Sequence, residues 1–205
     1  MTNKEKMLNG ELYLAFDEKL KKMNLKARKL LDKFNKTKLS NFKKRAIIAK
    51  KLFGLTGNNL TINKPLLLDY GKNVYIGNNF YSNYNLLLID VAKITIGDNV
   101  MFGPNVAIYT AGHPVDPLVR NSNLEFGHEV IIGNNVWLGG SVVVNPGVKI
   151  GDNVVVASGA VVTKSFPNNV VIGGNPAKII REINEEDKIY WNNKKEEYYK
   201  TINKE

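Results

Sequence analysis

Apolar residues recur at intervals of six through the second half of the chain: Ile132, Leu138, Val144, Ile150, Val156 and Val162. Each of the first five is followed by a small residue or turn former (Gly133, Gly139, Asn145, Gly151, Ala157). Four places on from each leader comes a second apolar residue (Val136, Val142, Val148, Val154, Ala160). A helix returns to one face about every 3.6 residues and an uninterrupted strand about every 2, so neither explains a leader and a corner former in every hexad. Short strands separated by corners do. Three hexads then complete one triangular coil, coils stack, and the leaders point inward. Ile96, Phe102 and Ile108 follow the same rule, and Ile76-Gly77-Asn78-Asn79-Phe80 is echoed at Ile132–Val136 and Ile150–Val154. Asn and Gly suit the corners because they tolerate left-handed backbone conformations. A sandwich of short strands would alternate with period two at irregular spacing, so the pattern predicts an all-β solenoid.

Three regions follow. Residues 1–58 read as an N-terminal helical segment, with helices expected through Met7–Leu20, Leu25–Phe34 and Phe42–Phe53, no proline, and Ser40 as cap of the last. The solenoid is expected over 59–183. Residues 184–205 read as a helical tail that closes its open end, where unpaired coil edges would otherwise face solvent. Ile96 and Ile132 are spaced as two full coils, yet residues 110–128 ignore the hexad rule. They read as an excursion loop, and a loop thrown out of a rigid scaffold is where function concentrates.

Composition narrows the chemistry. At 205 residues and 43% hydrophobic, the chain suits one domain with appendages. The absence of cysteine excludes disulfides and thiolate nucleophiles. No signal peptide or bilayer-length apolar run is present, so a cytoplasmic protein without a membrane partner is expected. The net charge of +10 resides in the first 53 residues, where 16 Lys or Arg face 5 acids. Without a stacking platform this reads as solvated helix surface rather than a nucleic-acid site, and it also attracts an anionic cofactor at long range.

There are only two histidines, His113 and His128, too few for a three-imidazole metal centre, and no metal is expected. His128 reads as an exposed loop residue without a role. His113, set between Gly112 and Pro114 inside the excursion, is either a structural histidine, as a lone one usually is, or a catalytic residue.

Thr110-Ala111-Gly112-His113-Pro114-Val115-Asp116-Pro117, Ile132 to Gly140, Asn145-Pro146-Gly147-Val148 and Gly173-Gly174-Asn175-Pro176-Ala177 resemble the maltose and galactoside O-acetyltransferase family. So does the opening Lys6-Met7-Leu8-Asn9-Gly10-Glu11-Leu12-Tyr13. Leu88-Ile89-Asp90-Val91-Ala92 is most similar to the maltose branch. The resemblance implies a left-handed parallel β-helix, a homotrimer with sites at subunit interfaces, and acetyl transfer from acetyl-CoA to a hydroxyl. It implies His113 as base, the Gly140 backbone amide as oxyanion donor, and Trp137 lining the site. Glu125 either orients His113 or is a solvated loop acid. Family positions that meet CoA correspond to Trp137, Gly140, Ser158, Thr163, Lys164, Lys178 and Arg181, while Asp69, Tyr81 and Asn83 match positions near the sugar. The chain departs from the galactoside pattern at Ala15, Asn24 and Val91, with Asp17 as a substitute after a shifted helix. The resemblance implies a sugar or sugar-like alcohol as acceptor, which the departures make less specifically a galactoside; an amine or hydroxylated xenobiotic as acceptor, or a non-catalytic trimeric scaffold, are the alternatives.

Overall fold

In the computed structural model, which describes residues 1–202, the hexads wind as rungs of a triangular prism. The first face stacks Leu55–Thr56, Val74–Ile76, Ile94–Ile96, Val130–Ile132 and Lys149–Ile150. The second stacks Thr61–Ile62, Tyr81–Ser82, Met101–Phe102, Trp137–Leu138, Val155–Val156 and Val170–Gly173. The third stacks Leu66–Leu68, Leu86–Ile89, Ala107–Tyr109, Val143–Val144 and Val161–Val162. Pairing within each of these stacks is parallel. Strands this short persist because the rungs above and below satisfy their backbone groups. The hexad leaders from Ile132 to Val162 are buried, and so are the apolar residues two places before each following leader. Period two operates inside a rung: Val130 and Ile132 point inward while Ile131 points out.

Ile132 pairs directly with Ile96. Their separation of 36 residues is thus one coil plus an excursion, not the two coils that the spacing suggests. All the extra length falls at one corner, between the third and first faces. Six residues separate Val144 from Ile150, but eight separate Leu68 from Ile76 and Leu88 from Ile96, and 24 separate Ile108 from Ile132. A corner lengthened in three successive coils builds a local protrusion on an otherwise uniform prism.

The next corner carries a ladder. Asn59, Asn79, Asn99, Asn135, Asn153 and Asn169 hold φ between 56° and 59°, and each side-chain amide donates to the next in line at 2.8–3.1 Å. Asn135→Ala removes two rungs of this ladder and forces alanine into the left-handed region. It is expected to lower unfolding free energy by about 2 kcal/mol, and Asn135→Gly by clearly less. Denaturant titration that finds the two variants equal would refute the conformational part of this account.

The N-terminal segment is α1 (Asn3–Leu8), the strand Tyr13–Leu14, α2 (Glu18–Asn35) and α3 (Phe42–Leu52). The expected helix through Leu20 is interrupted because Asp17 caps α2, accepting the Lys19 and Leu20 amides at 2.9 and 3.1 Å. Asn41, not Ser40, caps α3. Ala27, Leu31 and Phe34 of α2 join Ile48, Ala49 and Leu52 of α3 in the same continuous core as the rungs, so the helices cover the first coil. The first rung begins at Leu55, ahead of the expected boundary at 59. At the other end Lys178–Glu182 folds back antiparallel on Val170–Gly173 and covers the final edge. The helix expected to close the solenoid, α5 (Glu185–Ile202), buries none of its residues, so its aromatic side chains pack no core.

Candidate active site

The excursion is a built structure. Ala111–Gly112 pairs antiparallel with Leu124–Gly127, which pairs in turn with Tyr13–Leu14, and α4 (Pro117–Asn121) forms the tip under an Asp116 cap. Gly112 is required by packing: a Cβ there would lie 2.5 Å from the Phe126 ring. His113 leaves this clamped hairpin with 54% of its side chain exposed.

Its Nε2 lies 3.9 Å from Glu125 Oε1, too far for a hydrogen bond but within electrostatic reach. Glu125 Oε2 accepts the Tyr13 hydroxyl at 2.7 Å. Tyr13 is 1% exposed and sits opposite Glu125 in the strand register. Burial, then the Glu125 bond, pushes the Tyr13 phenol far above its usual range, so it stays a donor at any physiological pH. One carboxylate oxygen is therefore anchored and the other is turned toward the imidazole.

Beside this pair lies a cleft of about 380 Å³. Leu20, Asn24 and Arg28 of α2 form one wall, Asp69, Tyr70 and Val91 of the lengthened corner another, and Glu125 and Ala15 close it. Burial raises the Asp69 carboxyl above its ordinary range, against the opposing pull of Arg28. Asn24 donates to the Asp69 carbonyl at 3.0 Å. The three departures from the galactoside pattern, Ala15, Asn24 and Val91, thus meet in one cavity. Asp17 does not join them: its carboxylate serves the α2 cap and Asn3, which corrects the expectation that it faces the acceptor.

The other candidates lie elsewhere on the prism. Tyr81, Met101 and Trp137 are consecutive outward residues of the second face, an exposed apolar stripe. Asn83, Gly140 and Ser158 occupy the corner after it, where Asn83 accepts the Tyr84 amide. The amides of Gly139 and Ser141 donate to Val156 and Pro104, while the Gly140 amide makes no hydrogen bond among the described residues. A Cβ on Gly103, one coil away, would come within 2.6 Å of that nitrogen, so the missing side chain leaves it open. Thr163 and Lys164 are exposed at the corner after the third face, and Lys178 is exposed on the closing strand. Arg181 is already paired, bidentate to Asp187 at 2.6 and 2.8 Å, so it is not an open phosphate ligand in this conformation. In a single chain, His113, Glu125 and Asp69 share one corner, and Tyr81, Asn83, Trp137 and Gly140 do not reach it. Sequence reasoning missed Tyr13 as the anchor of Glu125, because no local signal links residues 112 apart.

A hexad prism under a helical cap, with a histidine held out on a clamped loop, defines a hexapeptide-repeat transferase. Residues 6–57 match the maltose acetyltransferase hexapeptide capping motif, and residues 129–164 match the bacterial transferase hexapeptide of six repeats. The chain is 42% identical to galactoside O-acetyltransferase of Escherichia coli over 91% of its own length and 92% of that protein's. Among solved structures, a maltose O-acetyltransferase from Clostridium difficile 630 superposes with a TM-score of 0.85 at 47% identity, covering 90% of this chain and 98% of that one. A galactoside acetyltransferase in complex with coenzyme A superposes at 0.89 with 42% identity, covering 92% and 94%. The chain belongs to the maltose and galactoside O-acetyltransferase family.

Proposed function

We propose that the protein transfers acetyl from acetyl-CoA to a hydroxyl of a sugar or sugar-like acceptor, in a homotrimer whose sites lie between subunits. The observation that carries this reading is the His113 imidazole, exposed beside a cleft and backed by a carboxylate that Tyr13 anchors. The imidazole takes the proton of the acceptor hydroxyl as its oxygen attacks the thioester carbonyl. Glu125 offsets the positive charge that the ring gains. The carbonyl oxygen becomes an oxyanion, to which the open Gly140 amide donates, an effect of about 3 kcal/mol on the barrier. Collapse expels the CoA thiolate, which recovers the proton from the imidazolium, and the acetyl ester remains on the acceptor. The reaction is a direct transfer in a ternary complex and uses no cysteine acyl-enzyme.

Gly140 and Trp137 meet His113 only if a neighbouring chain presents its second face to this chain's loop, which is why the reading includes a trimer. Exposed Lys164 and Lys178, with Ser158 and Thr163, are the groups offered to the phosphates and pantetheine of CoA. Arg181 joins them only by leaving Asp187.

Release of free CoA from acetyl-CoA, followed across glycosides, amino sugars and hydroxylated antibiotics, tests the acceptor class. Turnover is expected on hydroxyl acceptors. Turnover confined to amines would move the activity to N-acetylation, and none with any acceptor would favour a scaffold.

A further inference from the structure

Of the six buried polar or charged residues among the described ones, three (Asn73, Asp90 and Thr110) sit at the lengthened corner that carries the cleft and the loop. They tie successive coils together. Thr110 Oγ1 accepts the Ala92 amide and donates to the Ile89 carbonyl, both at 2.8 Å, and the Asn73 amide donates to the Asp90 carbonyl at 2.7 Å. Asp90, fully buried in the centre of this column, accepts the backbone amides of Asp69 and Tyr70 on Oδ1 at 3.2 and 2.9 Å. Both of those residues line the cleft. Asp90 Oδ2 is buried and has no hydrogen-bond partner among the described residues. A hydrophobic corner would not tolerate a stranded polar oxygen unless the other oxygen did something there that an apolar side chain cannot.

We propose that Asp90 is a positioning residue for acceptor binding: through Oδ1 it sets the Asp69–Tyr70 backbone, and so the direction in which the Asp69 carboxyl and the Tyr70 ring face the cleft. This rests on the reading of the cleft as the acceptor site. Asp90 itself touches no substrate. Burial, with Asp69 adding repulsion, pushes its carboxyl up to about 7 against the pull of the backbone amides. Asp69 and Tyr70 are the titratable groups next to it, and Arg28 and Glu125 act beyond them on Asp69. A folded value raised above the unfolded one means that the group's contribution to stability is present in acid and is lost as pH rises from about 4 to 7.

Two substitutions in the full-length protein separate the roles of the two oxygens. Asp90→Asn keeps an acceptor for both amides and replaces Oδ2 with a neutral group, while Asp90→Leu leaves both amides stranded. With Asp90→Asn, acceptor KM is expected within about threefold of wild type; with Asp90→Leu it rises about tenfold or more, at unchanged acetyl-CoA KM in both. The melting temperature of Asp90→Asn relative to wild type is expected to increase between pH 4.5 and pH 8. Equal acceptor KM in the two variants, or a melting difference that does not vary with pH, would overturn the proposal. If Asp90→Leu does not fold, Asp90→Asn decides alone, and an acceptor KM raised more than tenfold in it counts against Asp90. The melting measurement needs no acceptor, so a failure of the acceptor assignment is distinguishable from a failure of the Asp90 proposal.

Discussion

His113→Ala is expected to reduce kcat for acetyl transfer by about a hundredfold or more, with little change in acetyl-CoA KM and in melting temperature. The size follows from what the hydroxyl needs: an alcohol is a poor nucleophile at neutral pH, so losing the group that takes its proton costs the usual general-base factor. His113 is more than half exposed and donates to no group among the described residues, so its removal leaves packing intact. Glu125→Gln removes the charge facing the ring but keeps an acceptor for Tyr13, and a smaller loss of about tenfold is expected. Stopped or coupled assays of CoA release with the best acceptor measure both. Activity of His113→Ala within twofold of wild type would eliminate it as the base.

The second large effect concerns the shared site. Tyr81 and Trp137 lie on the second face, and the His113 loop springs from the corner between the third face and the first. If each site takes its loop from one chain and its second face from the next, two variants broken in different elements rescue each other. His113→Ala and the double variant Tyr81→Ala/Trp137→Ala are each expected to be strongly impaired. Co-expressed at equal amounts, they should recover about a quarter of wild-type activity, the share of interfaces where an intact loop meets an intact face. No recovery above the parents, or an active monomer by sedimentation, would exclude the interfacial site.

Much of the architecture was legible along the chain because a hexad rung is a local object. An inward leader, a small corner residue and a second inward residue two places before the next leader are all set within six positions, and the Asn residues that take positive φ stand where the repeat puts them. The length of the interruption was misread for the same reason. Spacing alone does not distinguish two regular coils from one coil plus an excursion; the pairing of Ile96 with Ile132 does. Helix ends were legible only to within a few residues, since Asp17 and Asn41 act as caps through backbone geometry that the apolar pattern does not carry.

Of the candidate site, His113 stood out because its loop breaks a monotonous rule, and Asp69 and Trp137 because they match the family, while Glu125 stood only as a loop acid open to two readings. What those residues do for one another was not readable. Asp17 was expected at the acceptor and is held at a helix end, while Arg181, expected at the CoA phosphates, is paired with Asp187. The opposite holds for Asp90 and Tyr13: both lie in motifs that match the family, yet nothing along the chain marks the bonds they make behind the cleft.

By itself the sequence determined the repeat, the inward and outward sense of its rungs, the place where the chain leaves the prism, and the family, since all of these depend on residues near one another along the chain. Tertiary structure alone decided that three lengthened turns converge on one corner, that a tyrosine near the N-terminus anchors a glutamate far along the chain, and that the imidazole and the apolar stripe lie on different sides of one subunit. Those relations depend on stacking, which brings together residues one or several coils apart, and the hydrogen bonds and burial that result are properties of the stack rather than of any six-residue segment.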